Sequence, residues 1–284
     1  MRMRWISSVA VVLALLHLFG LSAFAAPLSS VRLSDTWPEQ GAFFILDVAA
    51  DAKAPVAHFL GRSFRLFRQL DGGWRAMVPV GALSVPGEHV LQVVDGADSV
   101  AVGITVREND LPVQQIRLYG SKGGLKATER EKTSVRRALD VLSPEQLFTT
   151  PFYRPVGGEI SSLFGLKRSY NGEPVTSYHK GLDIAAAAGT PVLSMGGGRV
   201  VLTGREDDGF VVHGNTVIVD HGQGLVSVYL HMQEVTVQEG ELVHSGSIIG
   251  RVGDSGISTA PHLHWGTYLY GTSVDPELME RYQQ

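Results

Sequence analysis

The sequence predicts a mainly β protein built as two units joined by a helical connector. Three observations carry that expectation. Glycine supplies 33 of 284 residues while charged residues make up only 18%, and valine is plentiful, a balance that favours strands and tight turns over helices. Short apolar runs separated by turn residues fill the first third of the chain and recur throughout the last half. Between them lies a stretch with helix-type signals.

Taken in order, residues 1–25 read as a targeting signal. Arg2 and Arg4 precede an apolar run over about 6–21, and Ala23-Phe24-Ala25 places small residues at both cleavage-determining positions. Cleavage is expected after Ala25. The competing reading is an uncleaved membrane anchor, since the run could nearly span a bilayer. The chain contains no cysteine, so neither a lipid-bearing cysteine at the cleavage site nor a disulfide is expected. An exported chain of this kind relies on its cores, and the remaining residues suffice for two.

Residues 26–108 read as an immunoglobulin-like β-sandwich. The runs 42–48, 74–78, 89–94 and 99–106 are divided by Asp71-Gly72-Gly73, Val85-Pro86-Gly87 and Asp95-Gly96-Ala97-Asp98, and about seven short strands in so short a stretch fit that architecture. His58 and His89 have no histidine or acidic company at ligand spacing and are taken as ordinary strand or surface residues. No chemistry is visible here.

Residues 109–150 read as a connector with one helix. Thr128-Glu129-Arg130-Glu131 fits a capping box, in which threonine and glutamate each satisfy a free backbone amide. The helix should run to about Leu142, where Ser143-Pro144 stops it. Val135, Leu139 and Leu142 form a narrow apolar stripe, so packing against a neighbouring unit is expected.

Residues 151–284 read mostly as short strands with glycine-rich turns, and they hold the chemistry. Three clusters supply four histidines and a carboxylate: Tyr178-His179-Lys180-Gly181-Leu182-Asp183, Tyr229-Leu230-His231-Met232 and Pro261-His262-Leu263-His264-Trp265. A lone His-x-x-x-Asp or His-x-His spacing is common by chance. Three such clusters near one another, each beside strand-like runs, point to a metal, because imidazole and carboxylate are ligands that divalent zinc accepts and three of them leave a position for water. His262 and His264, two apart, share a face if the segment is extended. His231 sits among Val226, Val228 and Leu230 in alternation with Ser227 and Tyr229, so it should point away from that apolar row. The His179–Asp183 stretch reads as loop into strand. Of the other histidines, His221 is placed in a hairpin turn and His244 on the surface, while His213, just before Gly214-Asn215, has lining of the groove as its minor reading.

These clusters, with Gly189-Thr190-Pro191-Val192, Gly214-Asn215-Thr216-Val217-Ile218-Val219-Asp220-His221-Gly222, Ile248-Ile249-Gly250-Arg251-Val252-Gly253 and Val274-Asp275-Pro276, resemble the lysostaphin-type zinc metalloendopeptidases, whose catalytic unit is the LytM domain. The resemblance covers about 151–276. It implies a compact antiparallel β fold with the site in a groove on one sheet, one Zn2+ per chain held by His179, Asp183 and His264, and His231 and His262 as the catalytic pair. Trp265 and Gly266 depart from the Phe and Glu that commonly follow the last metal histidine, and the loop from Lys167 to Ser177 matches no family pattern. Both departures bear on substrate specificity.

No His-Glu-x-x-His segment is present, so a histidine must do the work of the base. The resemblance and the export signal together imply a periplasmic or secreted enzyme acting on peptidoglycan stem peptides, with the bond between D-alanine and a diamino acid as target and glycine bridges second. The alternative is a latent or noncatalytic activator of another wall hydrolase, with the N-terminal unit or connector covering the groove. The formal net charge of -4 makes nucleic acid an unsuitable partner.

Overall fold

The computed structural model describes residues 30–49, 51–117, 125–175 and 177–282; the expected signal over 1–25 lies outside them. Among the described residues no helix is long and apolar enough to cross a membrane.

The first unit is two four-stranded antiparallel sheets. One orders Val31–Leu33, Phe43–Val48, Trp74–Pro79 and Phe67–Arg68; the other orders Arg62–Arg65, Val56–Phe59, Gly87–Asp95 and Asp98–Val106. Lettered in chain order with the fourth strand as C′, this is A-B-E-D facing C′-C-F-G, the arrangement of an immunoglobulin-like sandwich. Inward residues Phe44, Leu46, Phe59, Phe64, Leu91 and Ile104 are fully buried between the sheets. The hairpin joining Val56–Phe59 to Arg62–Arg65 turns through Leu60 and Gly61, both at positive φ. Such a turn ordinarily announces itself with Asn-Gly, and the leucine hides it from a reading of the sequence.

The second unit is one large antiparallel sheet. Its main path runs Glu159–Ser162, Leu182–Ala185, His262–Leu269, Leu225–Val235, Asn215–Gly222, Gly198–Gly204 and Leu242–Val243. Alternation gives the sheet two faces. Leu182, Ile184, Val217, Val219, Tyr229, Leu263, Trp265 and Leu269 point into a core continuous with that of the sandwich. Leu202, Ile218, Val226, Val228, Leu230 and Tyr268 form a second cluster on the other face. By the same alternation Asp183, His262 and His264 belong to this second face.

The connector helix runs Glu129–Leu139 and carries the expected capping box, with Thr128 accepting from Glu131 N and the Glu131 side chain accepting from Thr128 N. It ends three residues short of Leu142. The chain must turn there so that Ser143 O can accept from Gln223 N and the Ser143 hydroxyl can donate to Asp220. Leu142 is accordingly exposed, and Ala138, with Val135 and Leu139, packs on the second face instead. The helix therefore shares a sheet face with the histidine clusters.

The two units are joined by direct packing. The Tyr270 hydroxyl donates to Arg65 O at 2.7 Å while its ring meets Phe64 edge-on at 5.2 Å, and Asp275 N donates to Gly41 O at 2.8 Å. Ahead of the helix, Val113–Ile116 adds a parallel strand to Lys167–Tyr170, which pairs in turn with Ser177–Tyr178. The stretch that matched no family pattern is thus a small sheet completed by the inter-unit linker.

Candidate metal centre and flanking histidines

Register places the first group of side chains. Asp183 and His264 are direct cross-strand partners on Leu182–Ala185 and His262–Leu269, and directly opposed residues on one face have neighbouring side chains. His179 enters from the loop before the first of these strands. Its Nε2 lies 2.9 Å from Asp183 Oδ1 and 3.0 Å from His264 Nδ1, and His264 Nδ1 lies 2.8 Å from the same carboxylate oxygen.

The protons available cannot account for these contacts. His179 Nδ1 faces Leu163 O at 2.8 Å and donates there, so in the neutral ring its Nε2 carries only a lone pair. A neutral His264 can bring one proton to the cluster, at Nδ1. At least one close contact, His179 Nε2 to Asp183 Oδ1, then sets lone pair against lone pair. A cation at the centre satisfies all three donors at once, and His179, Asp183 and His264 fit a metal ion. Two imidazoles and a carboxylate are a zinc-type set with an open fourth position.

Electrostatics agrees with that fit. Burial pushes the Asp183 carboxyl up, but hydrogen bonds and attraction from His179 and His264 outweigh it and hold it far below the usual carboxylate range. Burial is the first cause for His264, which falls to about 4. Both groups are therefore in the ligand form at neutral pH. Arg168 stands behind the cluster with its guanidinium 3.9 Å from Asp183 Oδ2, the oxygen turned away from the imidazoles, and Nε 3.3 Å from Gln114 Oε1 on the linker strand.

Gly181, between His179 and Asp183, is there for space. A Cβ at that position would fall 2.4 Å from Trp265 O and 2.8 Å from His264 Nε2, and any side chain would displace the ligand ring. Trp265 itself is fully buried. At Gly266 a Cβ would come within 3.2 Å of Lys180 O, so this backbone leaves little room for the glutamate common in the family.

His231 and His262 flank the donors, with ring centroids 4.9 Å apart and His231 6.2 Å from His264. His262 Nε2 lies 3.8 Å from Asp183 Oδ1. Each ring is tied back through Nδ1 to a carbonyl of one loop, His231 to Ser255 O at 2.9 Å and His262 to Ala260 O at 2.8 Å, which leaves both Nε2 lone pairs toward the centre. Burial, then the neighbouring His264 and His262, lowers His231 to about 3 and keeps it neutral.

The expectation for His231 needs correction. Alternation would have put it with Ser227 and Tyr229 on the inner core face, opposite the apolar row of Val226, Val228 and Leu230. It stands instead on the same face as that row. The pairing between Asn215–Gly222 and Leu225–Val235 shifts register between Tyr229 and Met232, and His231 sits at φ 63°. This is a β-bulge, and bulges re-aim a side chain at the cost of local strain.

His221 also differs from expectation. It belongs to the strand Asn215–Gly222, is fully buried, and bonds Gly197 O through Nδ1 and Ser227 Oγ through Nε2. Burial lowers it to about 4, so it acts as a neutral core strut. His244 is exposed. His213 turns its ring toward the connector helix, where Nδ1 meets Glu131 Oε1 at 2.6 Å. Sequence reasoning missed Arg168, which lies outside the three clusters, and the contact of the capping-box Glu131 with His213; Gly181 was visible within its motif but its spatial reason was not.

Comparison with known proteins agrees with this geometry. Residues 177–276 match the family model of peptidase family M23. A DD-carboxypeptidase/endopeptidase, Mpg, of Neisseria meningitidis serogroup B is 37% identical over 120 residues, 41% of this chain and 26% of that protein. The peptidoglycan DD-endopeptidase ShyA of Vibrio cholerae is 35% identical over 116 residues, again 41% of this chain and 26% of its own length. The chain thus spans about a quarter of these curated relatives. A crystal structure from Pseudomonas aeruginosa assigned to peptidase M23 superposes over 86% of this chain and 95% of its own, with a TM-score of 0.65 and 29% identity.

Proposed function

We propose that this chain, whose residues 177–276 match the model of peptidase family M23, is an exported zinc metalloendopeptidase of the LytM type that hydrolyses peptide cross-links of bacterial peptidoglycan. The observation that carries the reading is the convergence of His179, Asp183 and His264 on one point with two further imidazole Nε2 atoms facing it. The curated relatives, one named as a DD-carboxypeptidase/endopeptidase and the other as a peptidoglycan DD-endopeptidase, support the substrate class.

A zinc ion bound by the three donors would supply a water of pKa near 7 and polarise the scissile carbonyl. The chain's own residues do the rest. His179 presents its Nε2 lone pair because Nδ1 donates to Leu163 O, His264 is kept neutral by burial, and Asp183 contributes the negative charge. His231, neutral and fixed by Ser255 O, is oriented to accept a proton at Nε2. His262, fixed by Ala260 O and standing nearer Asp183, is placed to carry a proton and to face developing negative charge or the leaving amine. Together they form an acid–base pair with two defined tautomers.

The target is the bond between D-alanine and the next stem's diamino acid, cut in the periplasm or outside the cell after removal of residues 1–25. Digestion of purified cross-linked peptidoglycan by the mature protein, with and without a zinc chelator, tests this. Chelator-sensitive loss of cross-linked dimers is expected, and product masses name the bond.

One observation favours a second reading, that the full chain is latent. The linker strand Val113–Ile116 is seated on Lys167–Tyr170, and through Gln114 and Arg168 it borders the metal cluster. Under that reading the mature chain binds zinc stoichiometrically and cuts nothing. Turnover by the intact chain would remove it.

A further inference from the structure

The connector helix places one carboxylate where a charged side chain is rarely found. Glu131 is completely buried and faces four donors. Oε1 accepts from Val212 N at 3.1 Å, His213 N at 2.7 Å and His213 Nδ1 at 2.6 Å, while Oε2 accepts from Thr128 N at 3.3 Å. A buried carboxylate is tolerated only when paired and hydrogen-bonded. Burial pushes its pKa up, but the contacts from His213 and Val212 outweigh that and hold it below the usual range.

What Glu131 grips leads to the site by two short routes. His213 O accepts from His231 N at 3.1 Å, at the bulge that turns His231 toward the metal donors. Val212 O accepts from Ile257 N at 2.9 Å, in the loop whose Ser255 O fixes the His231 ring. Both the backbone and the imidazole of His231 are therefore anchored to the segment that Glu131 clamps. A bulged residue at positive φ is held only where its surroundings over-determine it.

We infer that Glu131 is a positioning residue for His231, so that the connector helix, which lies outside the segment matched to the peptidase family, is a working part of the active site. The inference rests on the reading of His231 as a proton-transfer residue of a peptidoglycan endopeptidase. It deepens that reading by assigning the helix a constructive role in place of a cover.

Glu131→Gln is the informative variant. Its one carbonyl oxygen cannot serve all four donors, and its amide must turn N–H groups toward at least one of them. Arg137→Gly is the control, since it weakens the same helix at an exposed position without touching the clamp. In the full mature chain, Glu131→Gln should retain bound zinc and lower kcat at least tenfold with KM within threefold. Hydrogen exchange at the His231 amide should speed up at least tenfold. Arg137→Gly should leave kcat and that exchange near wild type. Unchanged His231 exchange and kcat in folded Glu131→Gln, or an equal effect of Arg137→Gly, overturns the inference.

If Glu131→Gln does not fold, the wild-type chain decides by NMR. The His213 Nδ1 proton should be strongly downfield and slow to exchange, and its absence sinks the clamp. If the wild type cuts no peptidoglycan, the functional reading falls, while His231 amide exchange still tests the positioning independently.

Discussion

The metal donors and the imidazole pair approach to 3.8 Å, yet they are built by different means. Asp183 and His264 hold regular strand positions, paired across the sheet, and point where alternation sends them. His231 is on a bulge at positive φ and is held by hydrogen bonds from two loops. The difference teaches that register suffices to bring Asp183 and His264 together, with His179 added from the adjoining loop, whereas a proton-transfer group aimed at their centre needs a break in the register and a scaffold to maintain it. The donor cluster should therefore be sensitive to its own side chains, and the pair to its surroundings.

The largest effects come from removing either group, and they should differ in kind. His264→Ala or Asp183→Ala is expected to release the metal and abolish turnover, as measured by metal content and muropeptide cleavage. His231→Ala or His262→Ala should keep the metal and reduce kcat by about 10²- to 10⁴-fold, the usual weight of a general acid or base. Metal loss in all four variants would erase the distinction between the two regions.

A smaller effect sharpens the distinction from the ligand side. Gly181→Ala adds no polar group, but its methyl would press on His264 and on Trp265 O. Arg168→Ala leaves every donor in place and frees Asp183 Oδ2 to turn. Each should weaken metal affinity by about 10- to 100-fold, the range for groups that orient ligands, as read by competition with a chromogenic chelator. Arg168→Lys should restore only part of the affinity, because an ammonium keeps the charge and loses the fork that also engages Gln114. Unaltered affinity in both Gly181→Ala and Arg168→Ala would show that the donors need no support.

Legibility follows the same division. The strands over 74–79 and 87–106 could be read because apolar residues alternate between clear turns, and the three clusters stood out by residue type. The His231 orientation could not be read, since a bulge changes parity without any residue that advertises it. Leu60 concealed a hairpin in the same way. Glu131 was recognised as half of a capping box, which it is, but its second set of partners lies some eighty residues along the chain, and no local pattern records a contact that distant. Arg168 was hidden for the same reason, being placed by a parallel strand from the linker.

Asp183 has a counterpart that tests whether its charge is set by burial or by company. Asp275, in Val274-Asp275-Pro276, is also largely enclosed and caps the helix Pro276–Arg281, accepting from Glu277 N at 3.0 Å. Burial raises it to about 6, with only a backbone hydrogen bond and a weaker attraction from Arg281 opposing. The sign is opposite to that of Asp183. A carboxyl whose pKa is higher folded than unfolded binds protons preferentially in the folded state, so stability falls as pH rises through about 4 to 6 and stays lower at 7. Asn keeps the capping oxygen and removes the charge. Asp275→Asn should match the wild type near pH 4 and exceed it by about 1–3 kcal/mol at pH 7, since a tenfold change in proton affinity between the folded and unfolded chain is worth about 1.4 kcal/mol. Denaturant unfolding at the two pH values measures the gap. If the gap stays flat or the wild type is the more stable at pH 7, attraction to the helix N-terminus outweighs burial, and enclosure alone does not explain the neutral tendency of Asp275. If it opens with pH, two enclosed aspartates in one unit are driven in opposite directions by their neighbours, and the imidazoles rather than the sheet make Asp183 a ligand.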